Sequence, residues 1–140
     1  MAHATRENLG YLLAKASQRW NERLQQGFAE AGFPEVKASY GSVLIPLLEE
    51  DGLRMGEIAR RARLSKQTMT TMVRLCERDG LVERRADPGD RRATRVHLTA
   101  RARSFQPVAE RVLAGLEGDA REALGAARLA ELRTALEALA

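Results

Sequence analysis

Apolar residues recur along this chain at two distinct periods. Over residues 6–31 the spacing is helical, with Leu9, Leu12, Leu13, Ala16, Trp20, Leu24 and Phe28 three or four positions apart on one stripe. Gly32 and Pro34 end that helix, glycine because it tolerates the C-terminal twist and proline because it cannot continue the ladder. Residues 36–50 repeat the pattern with Val36, Tyr40, Val43, Leu44, Leu47 and Leu48. Pro46 predicts a kink there, since its ring displaces the Ser42 carbonyl, and Asp51-Gly52 closes the segment. Two shorter helices follow. Residues 55–63 turn Ile58, Ala59 and Ala62 inward, but no Ser, Thr, Asp or Asn precedes them, a missing cap worth about 1 kcal/mol. Residues 65–78 begin at a natural N-cap, Ser65, and carry Met69, Met72, Val73 and Cys76 at i, i+3, i+4 and i+7. The two methionines read as core.

The period then drops to two. Residues 81–86 and 93–99 predict a β-hairpin in which Val96 and Leu98 face in while Arg95 and His97 face out. Asp87-Pro88-Gly89-Asp90 supplies the bend, with proline and glycine placed for a type II turn, and Arg91 and Arg92 follow at its far edge. Residues 100–139 return to helix through Val108, Val112 and Leu116, with Gly118 and Gly125 as punctuation. Leu129, Leu132, Leu136 and Leu139 then form a seam of the kind that small chains bury against another helix or a second subunit.

Composition narrows the function. The 140 residues amount to one domain. No apolar run approaches the ~18 residues of a membrane span, and MAHATRENLG lacks an apolar signal core, so a cytoplasmic protein with no membrane partner is expected. One cysteine makes no internal disulfide, and two histidines with that cysteine offer little to a soft metal. Aromatics at 4% argue against a stacking platform for single strands. The net charge of +4 conceals a segregation: residues 54–103 hold fourteen basic and six acidic groups, while both flanking segments are slightly acidic. Two readings fit this block, a polyanion-binding surface or a solvated arginine-rich face.

The order of helix, turn, capped helix and basic hairpin separates them. It is the arrangement of a winged helix-turn-helix, a mainly α fold with a small β-wing, whose second helix matches the width of the major groove. Opposite its apolar stripe, the helix at 65–78 presents Ser65, Lys66, Gln67, Thr68, Thr70, Thr71 and Arg74. Gln67 suits adenine, Arg74 suits guanine or phosphate, and threonine offers a hydroxyl to phosphate and a methyl to thymine. Arg91, Arg92 and Arg95 of the hairpin suit a narrow minor groove. Arg84 and Arg85 read equally well as solvated strand charges.

The stretch LSKQTMTTMVRLCERDGLVERRADPGDRRATRVHLT resembles the core of the MarR family of transcriptional regulators, through its SKQT helix start, its DPGDRR wing and its closing LT. LGYLL and MGEIARRARL upstream fall in the family's order, so the resemblance spans nearly the whole chain. It implies a single domain over 1–140, with dimerisation helices at 1–34 and 100–140 and a DNA-binding region at 36–99. The implied partners are a second copy of the chain and a palindromic double-stranded operator. Arg92 would enter the minor groove with Asp90 holding its guanidinium, and Arg91 would contact backbone. Gln67, Thr70 and Thr71 fall where the family reads bases, Ser65 and Thr68 where it meets phosphates. The resemblance also implies a small aromatic or phenolic acid as inducer, in a cleft between dimer helices and winged region, with Tyr11, Arg19, Trp20, Arg23, Tyr40 and Ser42 as candidate lining. A repressor is the expectation. Two positions depart from the family pattern: Arg54 stands where a capping Ser or Thr is usual, freeing it for phosphate, and Cys76 replaces a buried leucine.

Blander readings hold elsewhere. Cys76 lies on an apolar stripe and reads as packing rather than a redox sensor. Trp20 reads first as core or dimer packing. His3 and His97 do not converge on a metal site. No nucleophile with a histidine base, phosphate loop or carboxylate pair suggests an enzyme, and no cofactor is implied. The competing class is a winged-helix protein–protein adaptor, or a regulator without an inducer, but an adaptor has little need of a wing with three arginines beside a hydroxyl-rich helix.

Overall fold

The computed structural model describes residues 4–140, so His3 lies outside it. Helix α1 (Leu9–Glu30) starts at Asn8, whose side chain accepts hydrogen bonds from the Gly10 and Tyr11 amides and so satisfies donors that a first turn leaves open. It ends where Gly32 takes φ 96°, allowing the Phe33 amide to reach the Phe28 carbonyl.

The helix expected over 36–50 is shorter. Lys37 is extended, a 3-10 turn covers Ala38–Tyr40, and α2 proper is Gly41–Glu49 with Pro46 buried inside it. The Ala38 amide donates to the Gln25 side chain of α1 at 2.9 Å, so this stretch is held by a neighbour rather than by its own ladder. A two-residue strand that the sequence did not reveal, β1 (Leu53–Arg54), runs into α3 (Met55–Ala62). Helix α4 (Lys66–Arg78) has Ser65 as its N-cap, as expected. Strands β2 (Val82–Asp87) and β3 (Asp90–Leu98) form the hairpin, and the antiparallel sheet runs β1-β3-β2.

The turn itself is a correction. Gly89 does not adopt the left-handed φ that a type II turn requires at that position. The Asp87 carboxylate instead accepts the Gly89 amide at 2.8 Å, and a bulge between Ala86 and Asp87 absorbs the misfit. Helix α5 (Ala100–Leu124) passes through Gly118 unbroken and ends at Gly125, φ 84°, before α6 (Ala126–Leu139).

The core lies inside the winged region, where Val43, Ile58, Met69, Val73, Cys76, Leu81 and Val96 are almost fully buried. Burial of Cys76 pushes its thiol up to about 12, which leaves a packing residue rather than a nucleophile. An aromatic cluster joins this region to the long helices: Phe105 of α5 meets Phe28 edge-on at 4.7 Å and Phe33 at 5.2 Å. Of the α1 stripe, only Leu24 and Phe28 are buried. Leu9, Leu12 and Leu13 are exposed, and α6 buries nothing. The helical period holds, but those positions stay exposed, Leu13 facing the open groove it shares with Leu132 and Leu136.

Candidate nucleic-acid interface

Helix α4 divides cleanly. Met69, Val73 and Cys76 are buried and Met72 partly so, while Ser65, Lys66, Gln67, Thr68, Thr71 and Arg74 are exposed and Thr70 is half-buried. The hydroxyls are already engaged within the helix. Ser65 accepts the Thr68 amide at 3.0 Å and donates to the Thr68 hydroxyl at 2.8 Å. Thr70 donates back to the Lys66 carbonyl at 2.8 Å and Thr71 to that of Gln67 at 3.3 Å. Thr68 therefore keeps an uncommitted hydroxyl proton. Thr70 and Thr71 present acceptor oxygens and methyl groups, which fit base edges better than phosphate.

The cations divide as sharply. Arg54, Arg60, Arg61, Arg78, Arg84, Arg85, Arg95, Arg101 and Arg103 each meet a carboxylate. Among the described residues of segment 54–103, the cations that form no salt bridge are Arg63, Lys66, Arg74, Arg91 and Arg92, although Arg74 lies near enough to Glu77 to help hold that carboxyl below its ordinary range. They occupy the turn between α3 and α4, the outer face of α4 and the tip of the wing. Arg63 was not singled out from sequence. It has φ 55°, and its position follows from the tight turn that brings the Leu64 amide to the Ala59 carbonyl.

The wing differs from expectation in which acid organises it. Asp90 accepts only the Arg92 amide, at 3.0 Å, and holds no guanidinium. The organising carboxylate is Asp87, buried to 5% exposure, although its place in the sequence is that of a turn residue. Its Oδ1 accepts from Gly89, and its Oδ2 accepts from Nε of both Arg54, at 2.8 Å, and Arg95, at 2.9 Å. Arg95 also donates to the Gly52 carbonyl at 2.9 Å. Arg54 and Arg95 thus brace the sheet, whereas Arg91 and Arg92 extend from it with no acidic partner. The Gly89 amide, followed by the two arginines, holds the Asp87 carboxyl below its ordinary range against the opposing effect of burial. His97, expected to face out, is half-buried beside Gly52, with its Nδ1 3.5 Å from Asp51.

The candidate inducer residues do not converge. Tyr11 and Arg19 are exposed on α1, Arg19 beside Glu22, and Arg23 pairs with Asp119. Ser42 is half-buried. Tyr40 is 2% exposed and donates its hydroxyl to Asp79, the C-cap of α4, so it is a core residue. Trp20 lines a groove of about 490 Å³ between α1 and α6, with Leu13, Leu132 and Leu136. A separate apolar cleft of about 390 Å³ lies between α1, α2 and α5, walled by Leu24, Phe28, Leu44, Leu48 and Phe105. Its polar rim holds Lys37, Glu49, Gln106 and Glu110. None of the six residues lines that cleft, although Leu24 and Phe28 of the α1 stripe do and Gly41, between Tyr40 and Ser42, does as well.

Among the described residues no three histidine, cysteine or carboxylate side chains are grouped to hold a metal ion, and no helix is long and apolar enough to cross a membrane.

Residues 36–93, the winged region, match the MarR family. The transcriptional repressor Rv2887 of Mycobacterium tuberculosis is 30% identical over 133 residues, covering 94% of this chain and 92% of the relative. Among solved structures, the salicylic acid complex of that protein is 28% identical, with a TM-score of 0.67 over 99% of this chain and 100% of the other. The repressor CouR bound to a 23-mer DNA duplex is 26% identical, with a TM-score of 0.81 over 99% of each chain. With the capped helix, the basic wing and these similarities together, the chain belongs to the MarR family of transcriptional regulators.

Proposed function

We propose that the protein is a repressor, acting in the cytoplasm, that binds a palindromic duplex operator as a homodimer and is released from it by a small aromatic acid. The observation that carries this reading is the sorting of cations within the basic block 54–103: those without a salt bridge gather on α4, the turn before it and the wing tip, where a winged helix meets duplex DNA. In this scheme Gln67, Thr70 and Thr71 read major-groove edges, while Ser65, Lys66, Thr68 and Arg74 fix register on the backbone. Arg92 enters the minor groove and Arg91 lies along its phosphates, with Asp90 shaping the tip through the Arg92 amide.

Exposed Leu9, Leu12 and Leu13 on α1 and Leu132, Leu136 and Leu139 on α6 support the dimer, since a second copy would cover them. Residues 1–34 and 100–140 then serve as dimerisation helices and 36–99 as the DNA-binding region. The cleft between α1, α2 and α5 supports the ligand: apolar walls suit an aromatic ring, and Lys37 is the one cation on its rim. A relative's complex with salicylic acid points to the same ligand class.

Selection of tight binders from random-sequence duplexes tests the reading. The expected result is an enriched palindrome with half-sites about one helical turn, roughly 34 Å, apart. Absence of any duplex binding would reject it in favour of a protein–protein adaptor.

A further inference from the structure

The hydrogen bond from Tyr40 to Asp79 joins the cleft to the recognition helix, and the binding scheme above makes no use of it. Lys37 and Ala38 before Tyr40, and Gly41 after it, line the cleft. The same short turn is pinned to α1 through the Ala38 amide and the Gln25 side chain, 2.9 Å apart. Its far side is the buried Tyr40 ring, whose hydroxyl lands on the residue that ends α4. The polarity of the bond is fixed near neutral pH. Burial, then the bond itself, pushes the Tyr40 phenol up to about 12, so it donates. Asp79 is held below its ordinary range by Arg78 and by Tyr40, so it accepts.

We infer that Tyr40 is the positioning residue through which an occupant of the cleft moves the recognition helix, acting by way of Asp79. The inference rests on the proposed reading of that cleft as the ligand site. Packed interiors transmit displacement rather than absorb it. A ring entering against Ala38 and Gly41 shifts the 3-10 turn, and the enclosed Tyr40 ring carries that shift to the C-terminal end of α4. The opposite end of α4 bears Ser65, Lys66 and Gln67, so a small rotation there spoils the fit to a half-site. Tyr40 is therefore a relay between ligand and DNA sites rather than a ligand contact.

The test uses the duplex selected above and salicylate as the probe. Operator affinity is measured with and without saturating salicylate for the wild type, Tyr40→Phe, Asp79→Ala and Asp79→Asn, and calorimetry gives salicylate affinity for each free protein. The wild type is expected to lose operator affinity by about 5- to 150-fold on saturation, the span of an ordinary coupling free energy. Tyr40→Phe and Asp79→Ala are expected to bind operator and salicylate within about threefold of wild type, yet to cut the release factor by about fivefold. Asp79→Asn keeps an oxygen for the phenol and is expected to restore release. By reciprocity, operator DNA should weaken salicylate binding by the same factor in each protein.

Full release in Tyr40→Phe would overturn the relay while leaving the ligand reading intact. So would a weakened operator complex with an unchanged release factor, which is the signature of a merely structural bond. A wild type that binds operator but ignores salicylate would overturn the ligand reading, and the relay with it.

Discussion

Asp87 allows three arginines to share one line across the wing. Arg54, Arg95 and Arg85 are direct cross-strand neighbours through β1, β3 and β2, an arrangement that like-charge repulsion disfavours. Asp87 receives the first two and Glu83 the third. Because the folded Asp87 carboxyl titrates below its ordinary 3.8, its ionised form favours the folded chain. That contribution is complete above about pH 4 and is lost as pH falls through the lowered folded value. Asp87→Asn should therefore melt at lower temperature than wild type at pH 7, and the gap should narrow as pH drops below about 4. A gap independent of pH would show that the charge is immaterial. Gly52 is the second point of constraint. Its φ is 73°, and an added Cβ would lie 2.8 Å from the His97 ring. Gly52→Ala should cost about 1–3 kcal/mol, read as a lower urea midpoint. The exposed residues of α4 are legible in sequence because they follow from one helical period. Asp87 is not, since its partners come from strands far apart in the chain and its DPGD context reads equally well as a bare turn.

Helix α6 carries an apolar pattern that its own packing does not bury. Leu132, Leu136 and Leu139 keep the spacing of a seam, yet all are exposed, and α6 packs only lightly on α5. Sequence revealed the seam, as it revealed the stripe of α1, because periodicity records which face is apolar and not what covers it. Strand β1 escaped for the opposite reason: two residues are too few to show any period. The second helix was overdrawn because a tie to Gln25 holds its start outside the helical ladder. If a second copy covers the α1 and α6 leucines, Leu132→Glu with Leu136→Glu should give a folded monomer. Circular dichroism should retain wild-type helicity, since neither residue is buried in the protomer, while sedimentation shows the single-chain mass. Operator affinity should fall by about 100-fold or more as two linked half-sites become independent. An intact dimer would place the interface elsewhere.

At the scale of the molecule, electrostatics sorts the basic block of residues 54–103 into cations that meet a carboxylate and cations that do not. Paired arginines tie helices to the connecting segments beside them: Arg101 bridges α5 to Glu35, Arg103 bridges it to Asp51, and Arg61 links α3 to Glu50. Exposed pairs of this kind add little stability each, but they set which cations remain uncompensated. The salt dependence of binding to the selected duplex tests this sorting most directly. Each phosphate neutralised by a lysine or arginine contributes about one unit to the slope of log affinity against log salt. Arg74→Ala and Arg92→Ala should each reduce the slope by about 1, whereas Arg60→Ala and Arg85→Ala, at paired positions, should leave it within error of wild type. Equal reductions for all four variants, or a slope near zero in the wild type, would contradict the account.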